Sequence, residues 1–406
     1  MARPIVAGEA AGPGAVLDLF RTDRVETRAD VMRLTGMARG TVTQRINSLL
    51  EAGLLAPSDD RVSTGGRPPT KFAFNASGGC FMVADLRPRR ARLALSDLAG
   101  STLARSEERV DIADGPRPVL DSLMDWLDGL LAELDHPATP VRGIGIAVPG
   151  PVEFATGRVV SPPVMTGWDR FDIPGHVASI SPHRCPVLVD NDANAMAYGE
   201  YRTGGSRHPN MIMIEAGTGI GCGIIAGGRL YRGALGAAGD LGHVPFTESE
   251  AEGAPPRCRC GNVGCFEAYA GGWALARDLL AMGHSEVEGA DDIVDLIRGH
   301  DPDALGLVRA SGRVLGYAIS DAVSILNPSL VSVGGILTQA DEQLLAGIRS
   351  IVYSHSLPLA THNLEIAITG LGEMAGIVGM NLMLADWVFE PARVDQELRA
   401  SESTAV

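Results

Sequence analysis

The chain has almost no lysine, few aromatic residues and no long apolar run. Lys71 is the single lysine among 406 residues, so the 34 basic residues are almost all arginines. Aromatic residues make up 5%, charged residues 20% and hydrophobic residues 45%, a balance typical of a globular rather than a disordered protein. No apolar stretch approaches the roughly 18 residues that a membrane span requires. The composition therefore predicts a globular protein that does not cross a membrane.

The sequence also offers no sign of secretion. Its first residues, MARPIVAGEAAGPG, lack the basic stretch and the following apolar segment of a signal peptide. We therefore expect a cytoplasmic protein, in which the six cysteines are reduced or metal-bound rather than paired in disulfides. A chain of this length has room for two or three domains.

Acidic residues exceed basic ones by 15, but the excess is not uniform. Residues 1–75 carry ten Lys+Arg and eight Asp+Glu, whereas the rest of the chain carries 24 basic and 41 acidic residues. An acidic surface repels DNA phosphates. Any contact with nucleic acid is therefore expected to be confined to the N-terminal segment.

That N-terminal segment has the pattern of a winged helix-turn-helix. Short helices are predicted at residues 15–20, 28–34 and 39–51, and a two-stranded wing with a turn at residues 65–66 is predicted within 61–75. The third helix would enter the DNA major groove and the wing would reach the minor groove. Predicted DNA contacts are Arg39, Thr41, Thr43, Gln44, Arg45 and, in the wing, Arg67. The alternative for the three helices is a small helical bundle with a solvated arginine face. The alternative for the wing is a proline-stiffened linker between domains.

From about residue 77 the chain alternates apolar strands, glycine turns and helices, which indicates an α/β body. Strands are predicted at 80–85, 91–97, 143–148, 187–190, 211–216, 223–226 and 330–333. Helices are predicted at 118–134, 193–201, 273–281, 291–298, 303–326 and near 374–387. The polar tail after Arg393 is expected to fray.

One histidine and three cysteines in the body have the spacing of a metal site. His243, Cys258, Cys260 and Cys265 form H-x14-C-x-C-x4-C. Four such ligands suit tetrahedral zinc with no open position, so the predicted zinc is structural. The alternative, unrelated buried cysteines, is disfavoured because three of the six cysteines fall within eight residues.

Several motifs of the body together resemble the ROK family of bacterial repressors and sugar kinases. They are GIGIAVPGPV, VDNDANA, EAGTGIGCGI and GHVPF followed by CRCGNVGCFEAY. The resemblance implies an α/β fold with a two-lobed, actin-like body (hexokinase-type, ribonuclease H-like) and an N-terminal winged helix-turn-helix domain. It further implies a DNA-binding domain at 1–75, a small lobe at 76–195 and a larger zinc-containing lobe at 196–406, whose late helix returns to the small lobe. The N-terminal extension resembles that of the xylose and N-acetylglucosamine repressors.

The resemblance also implies which residues bind a sugar. They are Gly150, Asn191, Asp192, Asp240, His243 and Glu267, of which Asp192 matches the general base of the kinases. His243 would face the sugar with one ring nitrogen and zinc with the other. Asp240 stands where the family usually has Glu, so the effector or its affinity is expected to differ. Trp168 either closes over the sugar ring or belongs to the core.

The first phosphate loop departs from the kinases of this fold. Their D-x-G-G-T is replaced by DLRPR at residues 85–89, in which Pro88 has no amide proton and Arg87 adds bulk. Glycines at 217–221 and 334–335 match the second phosphate loop and the nucleoside region, and equally suit a hairpin and a strand end. We therefore expect no enzyme activity, with Asp192 a vestigial base.

The favoured hypothesis is a sugar-responsive transcriptional regulator, most simply a repressor. Its partners would be a monosaccharide or sugar derivative and a palindromic double-stranded operator, bound by a homodimer or homotetramer. The alternatives are an ATP-dependent sugar kinase that uses Asp192 as general base, and a scaffold that binds neither sugar nor DNA.

Overall fold

The computed structural model describes residues 12–58, 70–135, 139–204, 207–247, 254–340 and 342–404. Within these ranges the chain forms a small N-terminal head and a body with two five-stranded sheets. Among the described helices, none combines the length and the apolar character needed to cross a lipid bilayer.

The head contains three helices and a two-stranded sheet, at positions close to those predicted. Its elements are α1 (Pro13–Arg21), α2 (Arg28–Thr35), α3 (Arg39–Glu51), β1 (Leu55–Ser58) and β2 (Lys71–Phe74). Thr27 and Asp30 form a capping box at the start of α2, and Gly36 ends that helix in the left-handed conformation at φ 71°. Val42, Ile46 and Leu49 on the apolar face of α3 are fully buried, which leaves the opposite face toward solvent.

The first wing strand does not lie where the sequence predicts it. Both strands were expected within residues 61–75, but β1 begins at Leu55 and pairs antiparallel with β2, from Leu55 opposite Phe74 to Ser58 opposite Lys71. Pro57 in β1 interrupts the strand pattern, which explains why the prediction missed it. Residues 59–69, with the predicted turn and Arg67, lie outside the described residues.

The first sheet of the body has the strand order β5-β4-β3-β6-β9. The elements of this part are β3 (Cys80–Leu86), β4 (Arg90–Asp97), β5 (Thr102–Arg109), α4 (Pro116–Ala132), β6 (Val141–Val148), β7 (Val152–Glu153), β8 (Arg158–Val159), α5 (Ile173–Ile180) and β9 (Val187–Asn191). The strands β3, β6 and β9 run parallel, so their carboxyl ends meet at one edge of the sheet.

The second sheet repeats this arrangement in the order β12-β11-β10-β13-β14. Its strands are β10 (Met211–Ala216), β11 (Ile220–Ala226), β12 (Arg229–Leu230), β13 (Leu330–Gly334) and β14 (Glu365–Ile368). The surrounding helices are α6 (Asp192–Thr203), α7 (Phe266–Ala270), α8 (Gly272–Met282), α9 (Asp292–Arg298), α10 (Pro302–Leu326), α11 (Glu342–His355), α12 (Pro358–Thr361), α13 (Ala375–Val388) and α14 (Pro391–Thr404). In both sheets an antiparallel pair precedes parallel strands, so the body consists of two similar lobes.

The expectation of a frayed tail is wrong. The helix α14 packs against α1 of the head, with Val394 only 2% exposed. The Asp395 carboxylate accepts a hydrogen bond of 2.7 Å from the Gly14 backbone amide. A Cβ atom on Gly14 would lie 2.2 Å from the Pro391 carbonyl oxygen, so the two helices approach as closely as glycine permits.

Trp168 belongs to the core. Its side chain is fully buried, and the indole N–H donates a 2.9 Å hydrogen bond to the Ile112 carbonyl. Because the ring is already enclosed and its N–H is satisfied, Trp168 is not available to close over a ligand.

Candidate functional site

A cleft of about 770 Å³ lies between the two lobes. It is lined by loops at the carboxyl ends of β3, β6, β9, β10 and β13, the edge at which open α/β sheets bind ligands. All six residues predicted to bind sugar line this cleft: Gly150, Asn191, Asp192, Asp240, His243 and Glu267.

The start of α6 fixes Asn191 and Asp192 in the cleft. The Asn191 side-chain oxygen caps α6 by accepting a hydrogen bond of 3.1 Å from the Asn194 backbone amide. Its side-chain nitrogen donates to the Gly150 carbonyl at 3.1 Å and to the Asp192 carboxylate at 3.0 Å. The two neighbouring side chains and the glycine turn are thus held as one unit.

Asp192 is a buried carboxyl group with acidic neighbours. Burial raises its pKa well above the ordinary value, and the negative charges of Glu215 and Asp85 raise it further, whereas Arg87 opposes them. This environment therefore disfavours the ionised form of the Asp192 side chain compared with an exposed aspartate.

Glu267 is also buried, at 6% exposure, and it is held by two N–H groups. One carboxylate oxygen accepts a 3.1 Å hydrogen bond from the Ile220 backbone amide, and the other accepts one of 3.1 Å from the Trp273 indole. A Cβ on Gly219 would lie 2.7 Å from this carboxylate, so the loop between β10 and β11 approaches Glu267 closely and a larger residue there would displace its side chain.

Sequence reasoning missed Trp273 as a cleft residue. Its indole supports Glu267, and the Arg259 guanidinium lies 4.9 Å from its ring centroid. The available signal was its position directly after the CFEAYAGG stretch, at the beginning of α8.

His243 lies between the cleft and the cysteine cluster. Its Nδ1 atom is 3.7 Å from Cys258 Sγ, and its Nε2 atom is 3.9 Å from an Asp240 carboxylate oxygen. The Asp240 side chain is 52% exposed, so its carboxylate remains open to a ligand. The imidazole therefore has one nitrogen toward the cysteines and the other toward the cleft.

The four predicted metal ligands come together. Donor atoms of His243, Cys258, Cys260 and Cys265 all lie within 4.8 Å of one another. Gly261 has a φ of 95°, which lets the loop turn between the second and third cysteines. Three thiols and one imidazole at this separation fit a tetrahedral zinc ion in their donor chemistry.

The opposite end of the cleft contains an internal ion pair network around Arg87. Its guanidinium donates to the fully buried Asp85 carboxylate, at 3.0 Å from Nη2 and 3.2 Å from Nε. It also forms an ion pair with Glu215 at the end of β10, in the other lobe. Arg87 thus stands where the kinases of this fold have a glycine of the phosphate loop. Its side chain joins the two lobes through Asp85 and Glu215.

The exposed face of α3 carries part of the predicted DNA-binding set. Arg39 and Gln44 are exposed, whereas Thr41, Thr43 and Arg45 are half-buried, less open than the helical pattern predicts. In α2, the Arg28 guanidinium lies 4.5 Å from the Phe72 ring centroid of the wing strand, so wing and helices pack together.

Comparison with known proteins assigns the body to a family. The model of the ROK family matches residues 88–386. The chain is 28% identical over 361 residues to the xylose repressor of Bacillus spizizenii, covering 89% of this chain and 91% of that protein. It is 31% identical over 313 residues to the glucokinase of Halalkalibacterium halodurans, covering 74% of this chain and 93% of the glucokinase.

A solved structure with the same fold extends over almost the whole chain. It is a ROK family transcriptional regulator described as a homologue of the Escherichia coli MLC protein, which matches with a TM-score of 0.76 at 24% identity. The match covers 95% of this chain and 98% of that one, and so includes the two-lobed, actin-like body together with the head. With its family model matched over most of the body and its fold shared, the chain belongs to the ROK family.

Proposed function

We propose that this chain is a sugar-responsive, DNA-binding repressor of transcription. The observation that carries the proposal is the combination, in one chain, of a winged head with a sugar-type cleft whose phosphate end is filled by Arg87. The similarity to the xylose repressor over 89% of this chain supports it, since the glucokinase match leaves about a quarter of the chain uncovered. A cytoplasmic location follows from this function.

The cleft has the groups that a monosaccharide needs. Asn191, Asp240 and His243 offer polar atoms to sugar hydroxyls, Glu267 lines the same wall, and Asp192 in its protonated form adds a donor. Fixed donors and acceptors of this kind discriminate strongly against a ligand that lacks the matching hydroxyl. The effector is therefore a monosaccharide or a derivative that retains its ring hydroxyls.

Zinc bound by His243 and the three cysteines would be structural. When bound, the ion holds the cysteine loop in place and polarises no substrate, because four protein ligands leave it no open position. The cysteine loop would also support Glu267. The loop ends at Cys265, which immediately precedes α7, the helix that contains Glu267. Loss of the metal is therefore expected to disturb the sugar-binding wall.

The head would read DNA through the exposed face of α3, with Arg39 and Gln44 toward base edges. Wing residue Arg67 would add a minor-groove contact. Two heads of a homodimer or homotetramer would bind a palindromic operator, because a two-fold assembly matches a two-fold site.

The direct test is a titration of labelled DNA from the promoter region of the chain's own gene. Operator affinity is measured by fluorescence anisotropy without sugar and with saturating D-xylose, D-glucose or N-acetyl-D-glucosamine, each alone. Thermal-shift measurements with the same sugars report binding independently of DNA. We expect at least one sugar both to raise the melting temperature and to change operator affinity. If no sugar does either, and no DNA binds, the chain is a scaffold and the proposal is wrong.

The second candidate function is an ATP-dependent sugar kinase, favoured by the 31% identity to a glucokinase. Turnover of ATP with the same sugars, abolished by Asp192→Asn, would establish it. We expect no turnover, because Pro88 has no backbone N–H to donate to a phosphate and Arg87 places a bulky side chain where the kinases have glycine.

A further inference from the structure

Two helices begin at the cleft and end beneath the head. The helix α6 begins at Asp192, in the cleft, and Gly376 in the first turn of α13 faces Asp85, where a Cβ would lie 2.5 Å from the carboxylate. With 12 and 14 residues, α6 and α13 span about 18 and 21 Å at the usual rise of an α-helix. Both helices therefore connect the ligand-binding region with a distant surface of the body.

The two helices pack too closely to slide past one another. A Cβ on Gly379 of α13 would lie only 1.6 Å from the Ala195 carbonyl oxygen of α6. A Cβ on Gly199 of α6 would lie 2.9 Å from the Ala375 carbonyl oxygen of α13. Backbone contacts of this kind have no flexible side chain to absorb a shift, so the pair is expected to move as one body.

At their far ends the two helices are joined to the head through Asp386 of α13. The Asp386 carboxylate forms an ion pair with Arg202 of α6 and accepts a hydrogen bond from the Tyr198 hydroxyl, also of α6. It also binds Arg21, the last residue of α1, at 3.2 Å. Burial opposes ionisation of Asp386. Arg202, Tyr198 and Arg21 nevertheless hold its pKa below the ordinary value, so the carboxylate is charged.

The position of Arg21 is reinforced by aromatic rings. Its side chain is 14% exposed, and its guanidinium lies 4.8 Å from the ring centroid of Phe389, directly after α13. The Phe389 ring in turn contacts Phe74 of the wing strand at 5.4 Å and Phe81 of β3 at 5.8 Å between centroids. The orientation of α1 is therefore set at the same point where α6 and α13 end.

We infer that the α6–α13 pair carries the effector signal from the cleft to the head, and that Asp386 is the residue through which the head follows it. The inference rests on the proposed function and adds the route of regulation. A sugar that repositions Asn191 and Asp192 moves the start of α6. The movement reaches α1 because Asp386 holds Arg202, Tyr198 and Arg21 together. Coupling of this kind requires that the two arrangements of the pair differ in sugar affinity.

The test compares two carboxylates that hold α1 by different routes. Asp386→Asn keeps the size of the side chain and removes the charge that joins α6 to Arg21. Asp395→Asn is the matched control, since Asp395 also binds α1, at the Gly14 amide, but lies on α14, outside the α6–α13 pair. A second variant, Arg21→Met, breaks the same junction from the head side and leaves the body unchanged. Each full-length variant is titrated with the promoter DNA described above, without sugar and with whichever of the three sugars acts on the wild type.

The measured quantity is the ratio of operator Kd with and without sugar. Coupling in allosteric proteins is roughly 5–150-fold. We expect Asp386→Asn and Arg21→Met to bring this ratio to within about twofold of one, whereas Asp395→Asn keeps the wild-type ratio. Sugar affinity, measured by titration calorimetry, should stay close to wild type in all three variants, which verifies that the body is folded.

The outcomes separate the two proposals. If the wild type shows no sugar-dependent change in operator Kd, the proposed function fails and the inference fails with it. If the wild type shows the change and both junction variants retain it, the inference alone is overturned. If Asp395→Asn loses the ratio as fully as the junction variants do, α14 is the route of coupling and Asp386 is not.

Discussion

The two ends of the cleft differ in how their charges are neutralised. At the end that holds the cysteine cluster, Asp240 is half-exposed and His243 has one nitrogen toward the cleft, so polar atoms remain open to a ligand. At the other end, the charges of Asp85 and Glu215 are matched by Arg87 of the same chain. The first end therefore has polar atoms available to a ligand, whereas the carboxylates of the second end are already paired with Arg87.

This difference shows how a cleft of the kinase type can be retained for sensing. In a phosphotransferase the second end must receive a nucleotide, and bare backbone amides or a metal ion supply the positive charge there. Here a tethered guanidinium supplies that charge permanently and also links β3 in one lobe to β10 in the other. Under the proposed function, sugar binding in this cleft would need no nucleotide.

The largest effect is expected at the cysteine cluster. Cys258→Ser should reduce zinc content from about one ion per chain to near zero and lower the free energy of unfolding by at least about 5 kcal/mol, since structural zinc in small peptides contributes roughly 10–16 kcal/mol. Metal analysis and urea unfolding measure the two quantities. Cys185→Ser is the control, because Cys185 lies outside the cluster. Unchanged zinc content in Cys258→Ser would contradict the assigned site.

The next effect concerns the other end. Arg87→Met removes the guanidinium and leaves Asp85 and Glu215 buried without a counter-charge, which should cost about 3–5 kcal/mol in urea unfolding. Arg90→Met is the matched control: its side chain is 44% exposed, and its ion pairs should contribute about 0–1 kcal/mol. Equal losses of unfolding free energy in the two variants would mean that the ion pairs of Arg87 with Asp85 and Glu215 do not stabilise the cleft.

A smaller effect is expected on sugar affinity. In Glu267→Gln the side-chain NH2 group faces one of the two N–H groups that now donate to the carboxylate. The wall of the cleft thereby loses a charged acceptor, and the side chain at position 267 loses one of the hydrogen bonds that orient it. Sugar Kd should rise about 10- to 100-fold, equivalent to the roughly 1–3 kcal/mol that an unsatisfied buried polar group costs. Glu288→Gln, at an exposed position of the cleft, should leave Kd within about twofold, well below that cost. Calorimetric titration distinguishes the two.

The smallest effect is a pH dependence. The pKa of Asp192 is raised in the folded protein, chiefly by burial, so between its ordinary value of 3.8 and the raised value the folded state holds a proton that the unfolded state releases. Stability should therefore fall as pH rises through this range, by at most about 1.4 kcal/mol per pH unit. Asp192→Asn removes this contribution, so its stability relative to wild type should increase in urea unfolding as pH rises above 3.8. A constant difference would show that Asp192 is ionised.

Elements with a clear apolar period were predictable from the sequence. The fully buried β3 and the amphipathic α3 lie within a few residues of their predicted bounds. The strand β5 was missed because it lies at a sheet edge and alternates exposed and half-buried residues, four of them charged. The helix α14 was missed because its sequence is polar, and its order depends on docking against α1, a contact that local pattern does not contain.

The candidate site divides in the same way. Residues within motifs, such as Asn191 and Glu267, could be predicted to line the cleft because their spacing is local and the family resemblance includes them. Arg87 was identified only as an obstacle to phosphate. Its ion pair with Glu215 joins positions 128 residues apart, and no sequence pattern reports such a contact. Asp386 and Arg21, 365 residues apart, were not anticipated for the same reason.

The close contact between Gly14 and Asp395 joins positions 381 residues apart. During synthesis α1 leaves the ribosome long before α14, which supplies part of the surface that receives it. Contacts of such long separation form slowly, because most of the chain must be ordered before they add stability. The head is therefore expected to dock only after both lobes have folded, so that a chain still being synthesised presents the three head helices without the body against which they pack.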